Sequence, residues 1–277
     1  MPDKNTDKKE NESLIKSQTS VFVKRKRTFT LVFLAVFALF GISAFVTDYS
    51  VAGGFESVPK AILWMANNFI PDEKSVERLP NILSKLFETA LLSVAVTVCA
   101  AVCAFLFSLL GTRTMKVNLV LAKAVRVVAA FFRNVPDVVW AIMLLFSFGQ
   151  NILTGFFALF FATFGLLTRT FIETIDEVCS DCVEALHATG ATSLPTVFQA
   201  IIPSSLPVIV SWVLYMIETN IRNSTLIGML TATGIGYLFD LYYKRMDYGS
   251  ASMVVISIVI LVISIELISN KIRKVIM

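Results

Sequence analysis

The stretch VVWAIMLLFSFGQNILTGFFALFFATFGLLT, Val138–Thr168, runs for 31 residues without a charge. About 20 apolar residues at 1.5 Å each cross the roughly 30 Å hydrocarbon core of a bilayer. The run is therefore too long for one comfortable span. Gly149-Gln150-Asn151 in its middle reads as a tight turn, which divides it into two membrane helices. The first of these reaches full length only by starting near Leu121, and that start draws Arg126, Arg133 and Asp137 into or beside the membrane. Each charge near a helix centre costs at least ~2.5 kcal/mol, so the placement needs a reason.

Working outward, Thr89–Thr112 is a charge-free run of 24 residues and Thr28–Thr47 one of 20. A further apolar segment opens at Pro203 and Pro207 and continues past Glu218 and Arg222 to about Leu230; Tyr248–Ile265 adds 18 residues before a basic tail. Proline is tolerated in a first helical turn, where its missing N–H is not needed. The pattern predicts six membrane helices and an all-α membrane fold. Composition agrees, with 56% hydrophobic and only 16% charged residues, where soluble domains carry about a quarter of their residues as charges. With one histidine, His187, and four cysteines, there is little material for a His-based zinc site or a Cys-His or Ser-His pair.

Orientation follows from Lys and Arg in the connections. With the N-terminus inside, twelve such residues face the cytoplasm (Lys24 to Arg27, Arg113, Lys116, Lys123, Arg126, Arg169, Lys271, Arg273, Lys274) and six face outward. Both termini are expected in the cytoplasm, with this chain in the plasma membrane. Residues 1–27 read as a disordered basic tail and 28–47 as a first, uncleaved anchor, since its apolar core is too long for a signal peptide and no A-x-A site follows. An extracytoplasmic loop is expected over 48–82 and a membrane-helical core over 83–272, with a cytoplasmic loop at about 173–202.

Polar residues at depth are the informative ones. In Arg133-Asn134-Val135-Pro136-Asp137 the two charges are four apart, close enough to pair on one helix face, and Pro136 kinks or starts a helix. An interfacial ion pair and a break lining a cavity both fit. Glu218 and Arg222 repeat the spacing about 22 Å along the helix opened by Pro203; they read as a packing pair or as pathway residues, with the Arg222 fork offered to an oxyanion. Asn220 lies between them. Thr231-Ala232-Thr233-Gly234-Ile235-Gly236 reads as a tight outer-face loop in which Gly234 and Gly236 permit unusual backbone angles. No Gly-x-Gly-x-x-Gly or Walker-type loop occurs, so no ATP site is expected in this chain. Cys99 and Cys103 read as packing residues, and Cys179 with Cys182 as half of a zinc spacing in a reducing compartment.

The stretch from Asp181 to Pro203 is the most specific. Alanine and leucine favour a short helix, and Gly190 is placed to end it in a left-handed cap. Glu184-Ala185-Leu186, three residues, Gly190, nine residues, Ala200-Ile201-Ile202-Pro203 resembles the EAA loop of ABC-importer permeases: Glu-Ala-Ala, three residues, Gly, nine residues, Ile-x-Leu-Pro. The departures are Leu186 for the second Ala, Ala200 for Ile and Ile202 for Leu. From about residue 80 onward, Phe132-Arg133-Asn134-Val135-Pro136-Asp137, the Glu218-x-Asn220-Ile221-Arg222 string and Gly234-Ile235-Gly236 look like the permease of phosphonate importers.

The resemblance implies a type I importer permease fold with a transport subunit that is not itself an enzyme. ATP and Mg would be used by a separate cytoplasmic ATPase dimer that grips Glu184, Ala185, Leu186, His187, Gly190 and Pro203. A second permease copy, an extracytoplasmic phosphonate-binding protein and the lipid bilayer are the other partners implied; no nucleic acid is expected. Arg133, Pro136, Asp137, Glu218, Asn220, Arg222, Gly234 and Gly236 would line or gate the pathway. Rival readings are a permease for phosphite, phosphate or another solute, and an ion-coupled carrier or channel using Glu218 and Arg222 as a gating pair.

Overall fold

The computed structural model describes residues 4–114 and 118–276, with side chains from Arg25 onward apart from Val51. Residues 1–3 of the expected tail, and Lys116 of the second cytoplasmic connection, lie outside the described residues. Every regular element among those described is helical, and the chain forms two units, residues 1–66 and 67–277.

In the first unit α1 (Lys4–Val46) contains the apolar span Arg25–Val46. Where the sequence predicts a disordered tail through residue 27, the helical backbone reaches back to Lys4, through lysines, glutamates and a glutamine that are fair helix formers. The expected loop 48–82 is also mostly helical: four residues separate α2 (Val51–Asn68) from α1.

The second unit holds α3 (Glu73–Glu77), α4 (Leu79–Gly111), α5 (Leu119–Asn134), α6 (Asp137–Phe148), α7 (Ile152–Val178), α8 (Ser180–Ala188), α9 (Ser193–Thr196), α10 (Ile202–Thr231), α11 (Gly234–Lys244) and α12 (Tyr248–Ile276). A π-helical turn over Val197–Ile201 joins α9 to α10. Among the described residues five helical stretches are long and apolar enough to span, and α5 with α6, bent by 88°, makes a sixth if counted as one broken span. Five of the six expected spans are single helices and the third is the broken α5–α6 pair; the core starts at Leu79 rather than 83 and the last helix runs to Ile276.

Helix α7 is central and packs against α4, α5, α6 and α10. The interior is built from Ala100, Ala104, Phe164, Leu167 and Phe171 in one cluster and Val96, Trp140, Leu159 and Ile227 in another. Hydrogen bonds tie the helix ends into two sets. At one end Arg78 pairs with Asp247, Arg78 Nη1 donates to Ser250 Oγ at 2.9 Å, and Gln150 Nε2 reaches the Leu230 carbonyl at 3.4 Å. At the other, Asp176 accepts from Thr112 and from the Arg113 N–H (2.9 Å), and pairs with Arg126 (2.9 Å), whose Nε donates to the Gly111 carbonyl. The up-and-down alternation predicted from the charge-free runs requires this grouping.

Gly234 takes the unusual backbone angle expected of it (φ 58°), next to Ala232 (φ 55°) and Thr233 in the turn, whereas Gly236 already lies in the first turn of α11, so the loop is shorter than expected. A Cβ on Gly236 would collide with the Thr225 carbonyl oxygen, and one on Gly228 would lie 2.5 Å from the Thr233 carbonyl oxygen. The glycines thus let α11 lie backbone to backbone against α10, the small-residue packing that membrane helices use where burial drives little.

Candidate functional site

The right-angle break between α5 and α6 organises the site. Pro136 has no N–H to donate to the preceding turn and disfavours helical backbone at Val135; Val135 is extended (φ −92°, ψ 118°) and Pro136 continues so (φ −57°, ψ 147°). Asp137 restarts the helix, its Oδ1 accepting from the Val138 N–H at 2.9 Å, where a carboxylate also favours the positive end of the helix dipole. Trp140, one turn later, folds back on Phe132 (ring centroids 5.4 Å apart) and on Phe161 of α7 (5.0 Å). Gly165 lets the end of α5 come close: a Cβ there would stand 2.5 Å from the Arg133 nitrogen and 2.8 Å from the Phe132 carbonyl carbon.

The break opens a cleft of about 550 Å³ against the middle of α7 and α10. Arg133, Pro136 and Asp137 line one side; Thr163 and Leu166 of α7, and Met216, Thr219, Asn220 and Asn223 of α10, line the rest. The expected pair between Arg133 and Asp137 is absent: a turn of helix between them is needed for i,i+4 contact, and the chain is extended there. Arg133 is exposed to the cleft and has no ion pair among the described residues.

Asn220 is 2% exposed and acts as a joint. Its Nδ2 donates to Thr97 Oγ1 of α4 at 2.8 Å and to Thr163 Oγ1 of α7 at 2.9 Å, tying three helices at the cleft wall. One turn away Ser93 Oγ approaches Ser224 Oγ at 3.2 Å, and Thr89 Oγ1 accepts from the Ile235 N–H at 2.9 Å. Reading the chain for charges misses this row. Its signal is the four-residue spacing of Thr89, Ser93 and Thr97, which puts three hydroxyls on one face of α4.

Glu218 and Arg222 do pair, at 3.2 Å, with Glu218 12% exposed and Arg222 49% exposed. Neither lines the cleft. Met216, Thr219, Asn220 and Asn223 occupy one face of α10, and positions 218 and 222 fall on another at 100° per residue. The structure therefore brings Arg133, Pro136, Asp137 and Asn220 together and leaves Glu218 and Arg222 apart from them.

The second surface is α8. Val183 is buried against Ile175 of α7, Cys179, Ala200 and Ile201, with Leu186 half-buried beside them. Glu184, Ala185 and His187 face outward, and Glu184 and His187 share a depression of about 620 Å³ with Arg113. Gly190 ends the helix with φ 83°, the left-handed cap read from the sequence; its N–H donates to the His187 carbonyl at 3.0 Å, and that of Ala191 to Leu186 at 3.2 Å. Pro203 is exposed in the first turn of α10, but the helical chain starts earlier, at Ser193, and passes through the π-turn. Burial pushes the Cys179 thiol up, with Cys182 nearby adding to it, which weakens it as a metal ligand or redox group.

The family model described as "binding-protein-dependent transport system inner membrane component" matches residues 104–276. The chain is 29% identical over 193 residues to the phosphate-import permease protein PhnE of Mycolicibacterium smegmatis, covering 68% of this chain and 36% of that one, so the match spans about a third of that relative. It is 28% identical over 189 residues to the phosphite transport system permease protein PtxC of Stutzerimonas stutzeri, covering 68% of this chain and 69% of the relative. Among solved structures, the inward-facing MetNI methionine ABC transporter aligns with a TM-score of 0.60 at 19% identity, over 71% of this chain and 98% of that one. An amino acid ABC transporter aligns with a TM-score of 0.61 at 14% identity, over 72% of this chain and 95% of the other. These two likenesses speak for the fold alone. By the family match over residues 104–276, the chain belongs to the binding-protein-dependent transport system inner membrane components, the permeases of ABC importers.

Proposed function

We propose that this permease imports a phosphonate or a closely related small phosphorus oxyanion. The observation that carries the reading is Arg133, which has no ion pair among the described residues and lines the cleft at the helix break together with Thr219, Asn220 and Asn223. A planar fork with five donors suits a tetrahedral oxyanion in two-point contact. Asp137, on the same side of the cleft, offsets that charge while the path is empty. The names of two relatives, a phosphate-import permease and a phosphite permease, favour the same cargo class.

Drive comes from a separate ATPase dimer seated on α8, and cargo from a binding protein on the opposite side; two permease copies enclose the path, with both termini in the cytoplasm. Helix α8 is a suitable handle because its buried face is shared with the end of α7 and the π-turn before α10, and both α7 and α10 line the cleft. Closure of the ATPases thus acts on two cleft helices at once, and π-turns recur where helices flex. Asn220, already tied to α4 and α7, serves as a joint rather than as a cargo ligand.

The deciding measurement is ATPase stimulation of the reconstituted complex by binding protein loaded in turn with an alkylphosphonate, phosphite, phosphate and methionine. Stimulation by at least one phosphorus oxyanion and not by methionine is expected. No response to any of the three oxyanions would remove the cargo assignment.

A further inference from the structure

We propose that α2 (Val51–Asn68) lies flat in the headgroup layer of the bilayer, at the membrane surface where α1 ends, with one face sunk toward the acyl chains. Phe55, Val58, Ile62 and Met65 follow the three-and-four spacing of a single helix face, while Glu56, Lys60 and Asn67 share the opposite one with Trp64, and Leu63 lies at its edge. Within the unit of residues 1–66 all four apolar side chains stand uncovered, Phe55 at 75% and Ile62 at 61% exposure.

The tether to α1 favours lipid as the cover of that face. Helix α1 ends in a tight reversal: Asp48 adopts φ 49° and the Tyr49 N–H returns to the Ala44 carbonyl at 2.9 Å. Ser50 then caps α2, its Oγ accepting from the Gly53 N–H at 3.1 Å, and the Tyr49 hydroxyl lies over Gly54, 2.7 Å from where a Cβ would be. Four residues reach at most about 14 Å, so α2 starts at the bilayer surface whatever its direction.

Its composition excludes crossing. Helix α2 has 18 residues with Glu56 and Lys60 in the middle, and it is not among the helices apolar enough to span. Pro59 has no N–H for the Phe55 carbonyl, an acceptor that water or headgroups can satisfy and hydrocarbon cannot. A clear apolar face, a charged opposite face and modest overall hydrophobicity are the marks of a helix lying in the interface. The segment precedes the residues matched by the family model, and the proposal is independent of the cargo.

The test uses the full chain in nanodiscs of phosphatidylethanolamine and phosphatidylglycerol, with native cysteines replaced and single spin labels at 55, 58, 62 and 65 or at 56, 60 and 67. Expected is a several-fold higher ratio of oxygen to nickel-chelate accessibility in the first set than in the second. Equal nickel access on both faces would overturn the proposal. So would shielding of the first set from both probes, which would put protein rather than lipid on that face. On the unsubstituted chain, a diazirine dissolved in the acyl region should mark Phe55, Ile62 and Met65 and spare Glu56 and Lys60; uniform or absent marking of α2 would count against it equally.

Discussion

Arg133 and Asn220 sit on the same cleft and do different work. Arg133 has no carboxylate to hold and faces open space, whereas Asn220 spends both amide hydrogens on Thr97 and Thr163. Arg133→Gln should therefore lower ATP-driven uptake about tenfold or more, since a hydrogen bond to a charged partner contributes about 1.5–3 kcal/mol, while thermal stability in detergent stays unchanged. Asn220→Ala should do the reverse first, costing about 1–2 kcal/mol of stability, as interhelical hydrogen bonds in membranes contribute on that order. Uptake and a thermal melt on the same two preparations separate the roles; a melt lowered equally by both would make Arg133 structural. The Glu218–Arg222 pair was legible from its spacing because both partners lie on one unbroken helix. The same spacing leaves Arg133 and Asp137 unpaired among the described residues, because Pro136 removes the turn that the ion-pair alternative requires.

Among elements, the break and α8 are the two that matter. Pro136 announces a break, yet its 88° angle depends on what α5 and α6 meet on α7. Gly165 is the permissive position, so Gly165→Ala should push the end of α5 outward and cost about 1–3 kcal/mol, the usual range for overpacking. A melt at wild-type temperature would show that the break is set by Pro136 alone. Helix α8 was readable in advance because its helix formers and its glycine stop are local signals. Gly190→Pro forces φ from 83° toward −65° and removes the N–H given to His187; Glu184→Lys reverses an outward charge beside Arg113. Both should abolish ATP-driven uptake while the chain still inserts and migrates as wild type by size exclusion. Normal uptake in either would end the coupling role of α8.

Across the whole second unit, the end opposite α8 is held by Asp247, between α11 and α12. Burial alone would raise its carboxyl, but the Ser250 N–H, the Arg78 guanidinium and the Ser250 hydroxyl together hold it below the usual carboxylate range. A lowered carboxyl stabilises the fold fully above its unfolded value of about 4 and loses that contribution as pH falls through the folded value. Asp247→Asn should thus lower stability by up to about 1 kcal/mol at neutral pH, and the gap from wild type should close below pH about 4. A gap that persists in acid would mean the carboxylate charge is not what holds this end. By itself the sequence determined the solvent, the six spans, the position of the break and the capped helix α8, because each depends on neighbours within a few residues along the chain. Only the tertiary structure decided that the break faces the middle of α7 and α10, that Arg133 is left unpaired there while Glu218 and Arg222 turn elsewhere, and that Gly236 packs rather than loops. Those outcomes depend on which helix backbones can approach one another, through Gly165, Gly228 and the Thr97–Asn220–Thr163 joint, and such contacts join residues tens of positions apart that no local spacing records.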